Sequence, residues 1–163
     1  MSRPLTVFHP LPDGAAAGEV LTSDPGRWLP GAPRHVGPDT WELTLAGAGT
    51  SRRVRCHVGP TWRTGSTRWR TVRWEPASVP SDAVPVERLL PTLQAELGVV
   101  VSDRTSLVLD GVYDVPGGPL GELVDAIALH RVAHRTATGF LAELAGRLLD
   151  DDAPAGSDEL AGR

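Results

Sequence analysis

Hydrophobic and polar residues alternate through the middle of this chain and recur every three to four positions near its end. Alternation over short runs is typical of half-buried strands, and the longer period is typical of an amphipathic helix. Seven runs predict β-strands: Pro4–His9, Arg34–Val36, Thr40–Leu45, Arg53–Val58, Thr67–Trp74, Val86–Val101 and Thr105–Tyr113. A last segment without proline, from Pro119 to about Asp150, predicts one long helix.

Turn and cap residues separate these runs. Asp13 could cap a short helix over residues 15–22, which Pro25 and Gly26 would end before a further turn at residues 27–29. Residues 59–65 begin with Gly-Pro and predict a turn, and Pro91 predicts a bulge or an edge position in its strand. The order of elements predicts an α+β fold, in which an antiparallel sheet carries its helices on one side.

The long helix has an apolar stripe that contains two histidines. Projected at 100° per residue, one face collects Leu120, Leu123, Ile127, His130, His134, Leu141, Ala145 and Leu148. Because an amphipathic helix turns its apolar stripe toward the sheet, we expect both histidines to face the interior and not the solvent.

Composition narrows the function classes. All sixteen basic residues are arginine, so a Schiff-base lysine and a Walker A lysine are excluded. The single cysteine, Cys56, allows no internal disulfide. Neither a signal peptide nor an apolar run of membrane-spanning length is evident, which favours a cytoplasmic protein. The length predicts one domain over residues 1–150, followed by an acidic, disordered tail at 151–163.

The C-terminal third resembles a known family. Its run L-x-L-x-G-x-Y-x-x-P-x-G-x-L-G over residues 107–121, then L-x-R-V-A-x-x-T and F-L-x-x-L-A over 129–145, is similar to the polyketide cyclase/dehydrase branch of the START-like (SRPBCC) superfamily. The resemblance implies a helix-grip fold, with a curved seven-stranded antiparallel sheet wrapped around the long C-terminal helix and short helices after the first strand. It also implies a ligand cavity between sheet and helix.

Several residues are candidates for that cavity. His130 and His134 could orient a ligand or carry a proton, Arg131 could grip a carboxylate, and Tyr113 could donate to a carbonyl. Trp41, Trp69 and Ile127 could provide apolar walls. Structural roles are the alternative for each: buried, hydrogen-bonded histidines, an ion pair of Arg131 with Asp125, and core packing of the aromatic rings.

A metal or cofactor is not indicated. Two histidines four apart can hold a metal, but Arg131 stands where the glutamate of HExxH would be, and no third ligand is evident. We therefore expect no metal site and no cofactor.

Three functions remain open. The first is binding of a hydrophobic or aromatic small molecule, and the second is a cyclase or dehydratase that uses the cavity histidines, arginine and tyrosine. The third is an interaction module, because residues 51–75 hold seven arginines, one glutamate and three tryptophans, a local charge of +6 in a chain of net charge −4. The acidic remainder disfavours nucleic acid as the partner of that segment. A homodimer is left open.

Overall fold

The computed structural model describes residues 2–12, 15–47, 50–77, 90–114 and 126–150. The strands are β1 (Ser2–Pro10), β2 (Arg34–Gly37), β3 (Thr40–Gly47), β4 (Thr50–Thr64), β5 (Thr67–Pro76), β6 (Thr92–Val101) and β7 (Thr105–Asp114). The helices are α1 (Ala15–Leu21), α2 (Pro25–Trp28) and α3 (Ala126–Asp150). None of these helices is long and apolar enough to cross a membrane.

The seven strands form one curved antiparallel sheet in the order β1-β7-β6-β5-β4-β3-β2. The α+β prediction is therefore confirmed. Alternation gives the sheet two different faces. We call the face that packs against the helices the inner face, and its opposite the outer face. The inner face carries alternate residues of β3 (Trp41, Leu43 and Leu45) and of β4 (Val54, Cys56 and Val58), all of which are buried.

The long helix α3 lies against β1, β3 and β7 and also contacts α1 and α2. Its buried residues follow the helical period: Leu129, Ala133, Thr136, Ala137, Phe140, Leu141, Leu144, Ala145 and Leu148. The predicted helix is confirmed from residue 126 onward. Its expected start near Pro119, and with it Leu120, Leu123 and Asp125, lies outside the described residues.

The two short helices meet where a proline begins the second one. The Asp24 side chain accepts a hydrogen bond from the Gly26 backbone N–H at 2.7 Å, and Pro25 occupies the first helical turn. Asp24 thus caps α2, and proline is well suited to that position because the N–H it lacks would have no helical partner. The short helix predicted over residues 15–22 is confirmed as α1, which ends at Leu21, but Pro25 begins α2 instead of ending the first helix. The predicted cap at Asp13 falls on a residue outside the described part.

Strand β4 is longer than predicted because it contains a bulge. Val58 pairs with Val72 and Thr61 pairs with Arg70, so Gly59 and Pro60 together oppose the single residue between Arg70 and Val72. The prediction of a turn from Gly59 was wrong, since a bulge accommodates both a glycine and a proline within a strand. The chain turns instead at residues 65–66, with Gly65 at φ 59°.

Strand β6 begins later than predicted. Leu90 and Pro91 are buried but precede the strand, which starts at Thr92. Proline has no N–H for the ladder, and this places it before the strand. The predicted strand residues 86–89 lie outside the described part of the chain.

Gly111 of β7 shows where the sheet tolerates no side chain. A Cβ at this position would come within 2.2 Å of the Gln94 backbone oxygen and 2.6 Å of the Ala95 Cβ on β6. The two strands therefore approach one another more closely here than a larger residue allows.

We expect Gly111→Ala to lower the free energy of unfolding by roughly 1–3 kcal/mol, because the backbone must shift to admit the methyl group. Gly146→Ala is the matched control. Gly146 lies exposed on α3 with open space around its added Cβ, and alanine there should raise stability by about 0.5–1 kcal/mol. Urea unfolding of both variants measures the difference. Equal stabilities would contradict the close approach of β6 and β7.

Candidate functional site

The space between sheet and helices is filled by a mainly aliphatic core in which several large aromatic side chains are embedded. Trp28 from α2, Trp74 from β5, Tyr113 from β7 and Phe140 from α3 are all at most 2% exposed. The Trp74 and Phe140 rings are 5.1 Å apart and inclined at 53°, a favourable aromatic geometry. Trp41, predicted as an apolar wall, is buried on the same inner face.

Three buried polar atoms stand out within this aromatic interior. Trp28 Nε1, Trp74 Nε1 and Thr136 Oγ1 have no hydrogen-bond partner among the described residues. Buried polar groups in native proteins are nearly always paired, and each one left without a partner costs about 1–3 kcal/mol. Two indole N–H donors and one hydroxyl are thus available inside the fold.

A tyrosine and two histidines form a polar cluster beside this interior. The Tyr113 hydroxyl is 3.2 Å from His130 Nδ1, within hydrogen-bond distance. The His130 and His134 ring centroids are 6.2 Å apart, and His134 Nδ1 is 3.4 Å from Thr138 Oγ1. Since Tyr113 is fully buried and both histidines are exposed, the cluster leads from the interior to the solvent.

The expectation that both histidines face the interior was wrong. His130, His134 and the predicted ligand contact Arg131 are all exposed, and Ile127 is 60% exposed. The side of α3 that meets the sheet is centred on Leu129, Ala133, Thr136, Ala137, Phe140 and Leu144. A shift of one residue rotates a helix by about 100°, and that rotation moves the histidines from the centre of the buried stripe to its edge.

Trp69 is not part of the interior either. It lies on the outer face, stacked on Trp62 with ring centroids 5.8 Å apart. It also covers Gly98 of β6, where a Cβ would come within 2.5 Å of the Trp69 ring. The preceding residue, Arg68, lies on the opposite, inner side, where it binds Glu19 of α1, because neighbouring residues of a strand alternate between the two faces.

Arg70 is a half-buried cation whose role the sequence pattern did not indicate. Its guanidinium donates to the backbone oxygens of Leu21 at 3.1 Å, Ser23 at 2.7 Å and Gly59 at 3.0 Å, and lies 5.6 Å from the Trp28 ring centroid. Burial lowers the pKa of Arg70 from its ordinary value. It joins the end of α1 to the β4 bulge, and alternation on β5 could have placed it inward beside Val72 and Trp74.

One cleft opens where α1 meets the hairpin of β4 and β5. It has a volume of about 180 Å³ and is lined by Gly18, Glu19, Arg63, Ser66, Arg68, Val99 and Val101. Binding sites for drug-sized molecules are typically 300–1,000 Å³, so this cleft could hold only part of such a ligand.

Metal binding finds no further support. No group of three His, Cys, Asp or Glu side chains within the described ranges could hold a metal ion. Comparison with known protein families, curated proteins and solved structures finds no match to this chain.

The interior also contains a thiol that is not reactive. Cys56 is buried on the inner face, and burial raises the pKa of its thiol to about 12. Thiolate is the nucleophilic form of cysteine, so Cys56 is not a nucleophile at neutral pH.

We expect Cys56 in the native protein to resist a thiol reagent such as DTNB at pH 8, and to react stoichiometrically in denaturant. Because the folded pKa is raised, the stability associated with this thiol is complete below the unfolded pKa near 9 and falls as pH rises toward 12. Cys56→Ala should lose that alkaline component in unfolding curves between pH 8 and 11. Rapid labelling of the native protein would contradict the burial of the thiol.

Proposed function

We propose that this protein is a START-like helix-grip protein that binds a hydrophobic or aromatic small molecule between the inner face of its sheet and α3. The observation that carries the proposal is the set of three buried hydrogen-bonding atoms on Trp28, Trp74 and Thr136 that have no partner among the described residues. A ligand carrying oxygen acceptors would pair with the two indole donors. The surrounding aromatic rings would bury its apolar part.

The topology supports the same proposal. An antiparallel sheet whose β1 and β7 lie beside each other, with one long helix across its inner face, is the arrangement that the helix-grip resemblance implies. The three polar atoms are closed off from solvent. Entry of a ligand therefore requires α3, or the α1–α2 pair, to move away from the sheet. We expect this to take place in the cytoplasm, in line with the absence of any internal disulfide.

We expect native mass spectrometry of the protein purified from its own host to show a bound small molecule. Thr136→Val keeps the shape of the side chain and removes the hydroxyl, so the bound fraction should fall at least fivefold. The unfolding free energy of the ligand-free protein should stay the same or rise, because a buried hydroxyl without a partner is removed.

Thr138→Val is the matched control. Thr138 is exposed on the same helix, where its hydroxyl donates to the His134 backbone oxygen at 2.8 Å, and its loss should leave the bound fraction unchanged. The proposal fails if the wild-type protein carries no small molecule and Thr136→Val lowers stability by more than about 1 kcal/mol, since the hydroxyl would then be structural.

The Tyr113–His130 hydrogen bond favours a second candidate function, a cyclase or dehydratase. If His130 donates its Nδ1–H to the phenol oxygen, the Tyr113 hydroxyl can donate its own proton to a buried carbonyl, and the exposed imidazole can then replace that proton from solvent. The phenol would then act as acid, and His130 would be the group that returns its proton.

The variant Tyr113→Phe distinguishes the two candidate functions when it is assayed with the molecule that mass spectrometry identifies. For an enzyme, turnover should fall about 100-fold while the bound fraction stays within twofold, in the usual range for loss of a general acid. For a binding protein, no turnover is seen with either form. His134→Leu is the control, because His134 does not contact the phenol within the described structure, and it should leave turnover intact.

A further inference from the structure

A second cleft lies on the outer face, away from the interior that the proposed function uses. We call it the arginine cleft. It has a volume of about 380 Å³ and is lined by Ala32, Arg34, Glu42, Leu43, Thr44 and Arg53. Glu42 pairs with both Arg34 of β2 and Arg55 of β4, and Thr44 pairs with Arg53. The register thus brings arginines from two strands to either side of β3.

One wall of the arginine cleft is a backbone held in an unusual conformation. Gly31 and Ala32 have φ of 70° and 51°, in the left-handed region. Gly31 rests on β3, where a Cβ would come within 2.0 Å of the Thr44 oxygen, and its own oxygen accepts from the Thr44 N–H at 3.0 Å. Alanine in this region costs about 1–2 kcal/mol. Such strain is concentrated at ligand sites, where surrounding structure maintains it.

The arginine cleft already stabilises one oxyanion. Arg34 donates a hydrogen bond to the Glu42 carboxylate. That hydrogen bond, together with the positive charges of Arg34, Arg53 and Arg55, lowers the pKa of Glu42 below its ordinary value. Two guanidinium groups and one carboxylate line the cleft, which leaves a net charge of +1 in it.

Arg53 is the cleft arginine whose guanidinium can still donate hydrogen bonds to a ligand. Arg34 is taken up by Glu42, and Arg55 lies 4.0 Å from Glu75. No ion pair within the described ranges involves Arg53, which is exposed and borders the cleft. A guanidinium has five N–H donors in a planar fork that fits two oxygens of one phosphate or carboxylate. The Thr44 hydroxyl, on the paired residue of β3, could add a further hydrogen bond.

We propose that the arginine cleft binds the phosphate or carboxylate group of a small metabolite, with Arg53 as its main contact and Arg34 and Thr44 beside it. The volume falls within the usual range for small-molecule sites, and this favours a small anion over a polymer. The site is on the opposite face from Trp74 and Thr136, so it is independent of the interior ligand.

Isothermal titration calorimetry at low ionic strength tests this, with inorganic pyrophosphate and citrate as the two probes. We expect at least one of them to bind at a single site, and the preferred probe distinguishes a phosphate from a carboxylate ligand. Arg53→Gln should weaken that binding at least tenfold, because both oxygens lose their fork of donors. Arg53→Lys, which keeps the charge and loses the fork, should weaken it less but still measurably.

Arg73→Gln is the matched control. Arg73 is an exposed arginine of the same outer face that lies 3.7 Å from Glu75 and does not line the cleft. Its loss should change the affinity less than twofold. Equal weakening by Arg53→Gln and Arg73→Gln would show a diffuse electrostatic attraction and overturn the proposal. Absence of binding by both probes to the wild-type protein would overturn it as well.

Thermal unfolding of each variant, measured alongside, separates loss of the site from loss of the fold. If Arg53→Gln does not fold, the comparison of wild type, Arg53→Lys and Arg73→Gln decides. An affinity that Arg53→Lys leaves unchanged would then contradict bidentate contact by Arg53.

Discussion

The contact of Phe140 with Trp74 sets the rotation of α3 about its own axis, and the content of the interior depends on that rotation. Once Phe140 faces β5, the helical period also brings Ala133, Thr136 and Leu144 toward the sheet. The small residues on this side of α3 determine how closely the helix approaches the sheet. Gly139 lets α3 pass close to β3, where an added Cβ would lie 3.3 Å from the Ala46 backbone oxygen.

Some polar groups in this interior have hydrogen-bond partners and others do not. Arg70 is half-buried with three backbone carbonyls and an aromatic ring around it, so its charge has partners and joins the short helices to the sheet. Trp28, which lies under that guanidinium, keeps an indole N–H without a partner in the described structure. The charged group is thus paired with several acceptors, whereas a neutral donor close to it has no partner among the described residues.

The sequence was informative where alternation and proline left few options. Alternation on β3 and β4 placed Trp41, Leu43, Val54 and Cys56 on the buried face, and the order of elements led to the α+β class. The predicted helix stripe was right for Leu141, Ala145 and Leu148, which are buried, but it left out Phe140 and was therefore centred too close to the two histidines. The pattern one residue earlier, through Leu129, Ala133, Phe140 and Leu144, is also apolar and forms the centre of the buried side.

The alternation of polar and apolar residues could not predict the arginine cleft. Its residues come from the loop before β2 and from β2, β3 and β4. One wall depends on Ala32, whose left-handed backbone conformation no sequence pattern predicts. Alternation indicated that Arg53 and Arg55 point outward. Only the register shows that the same face brings Arg34 and Glu42 beside them.

The bulge in β4 reverses the inside and the outside of one hairpin. Up to Val58 the even-numbered residues of the strand face the helices. Beyond the bulge, Trp62 stacks on the outer face and Arg63 turns toward α1. One inserted position therefore decides that the Arg63 guanidinium, and not the Trp62 indole, joins Arg68 of β5 at the border of the cleft at the tip of the hairpin. For this strand, the number of residues between Val58 and Thr61 determines which side chains beyond the bulge face the helices, as much as the residue types do.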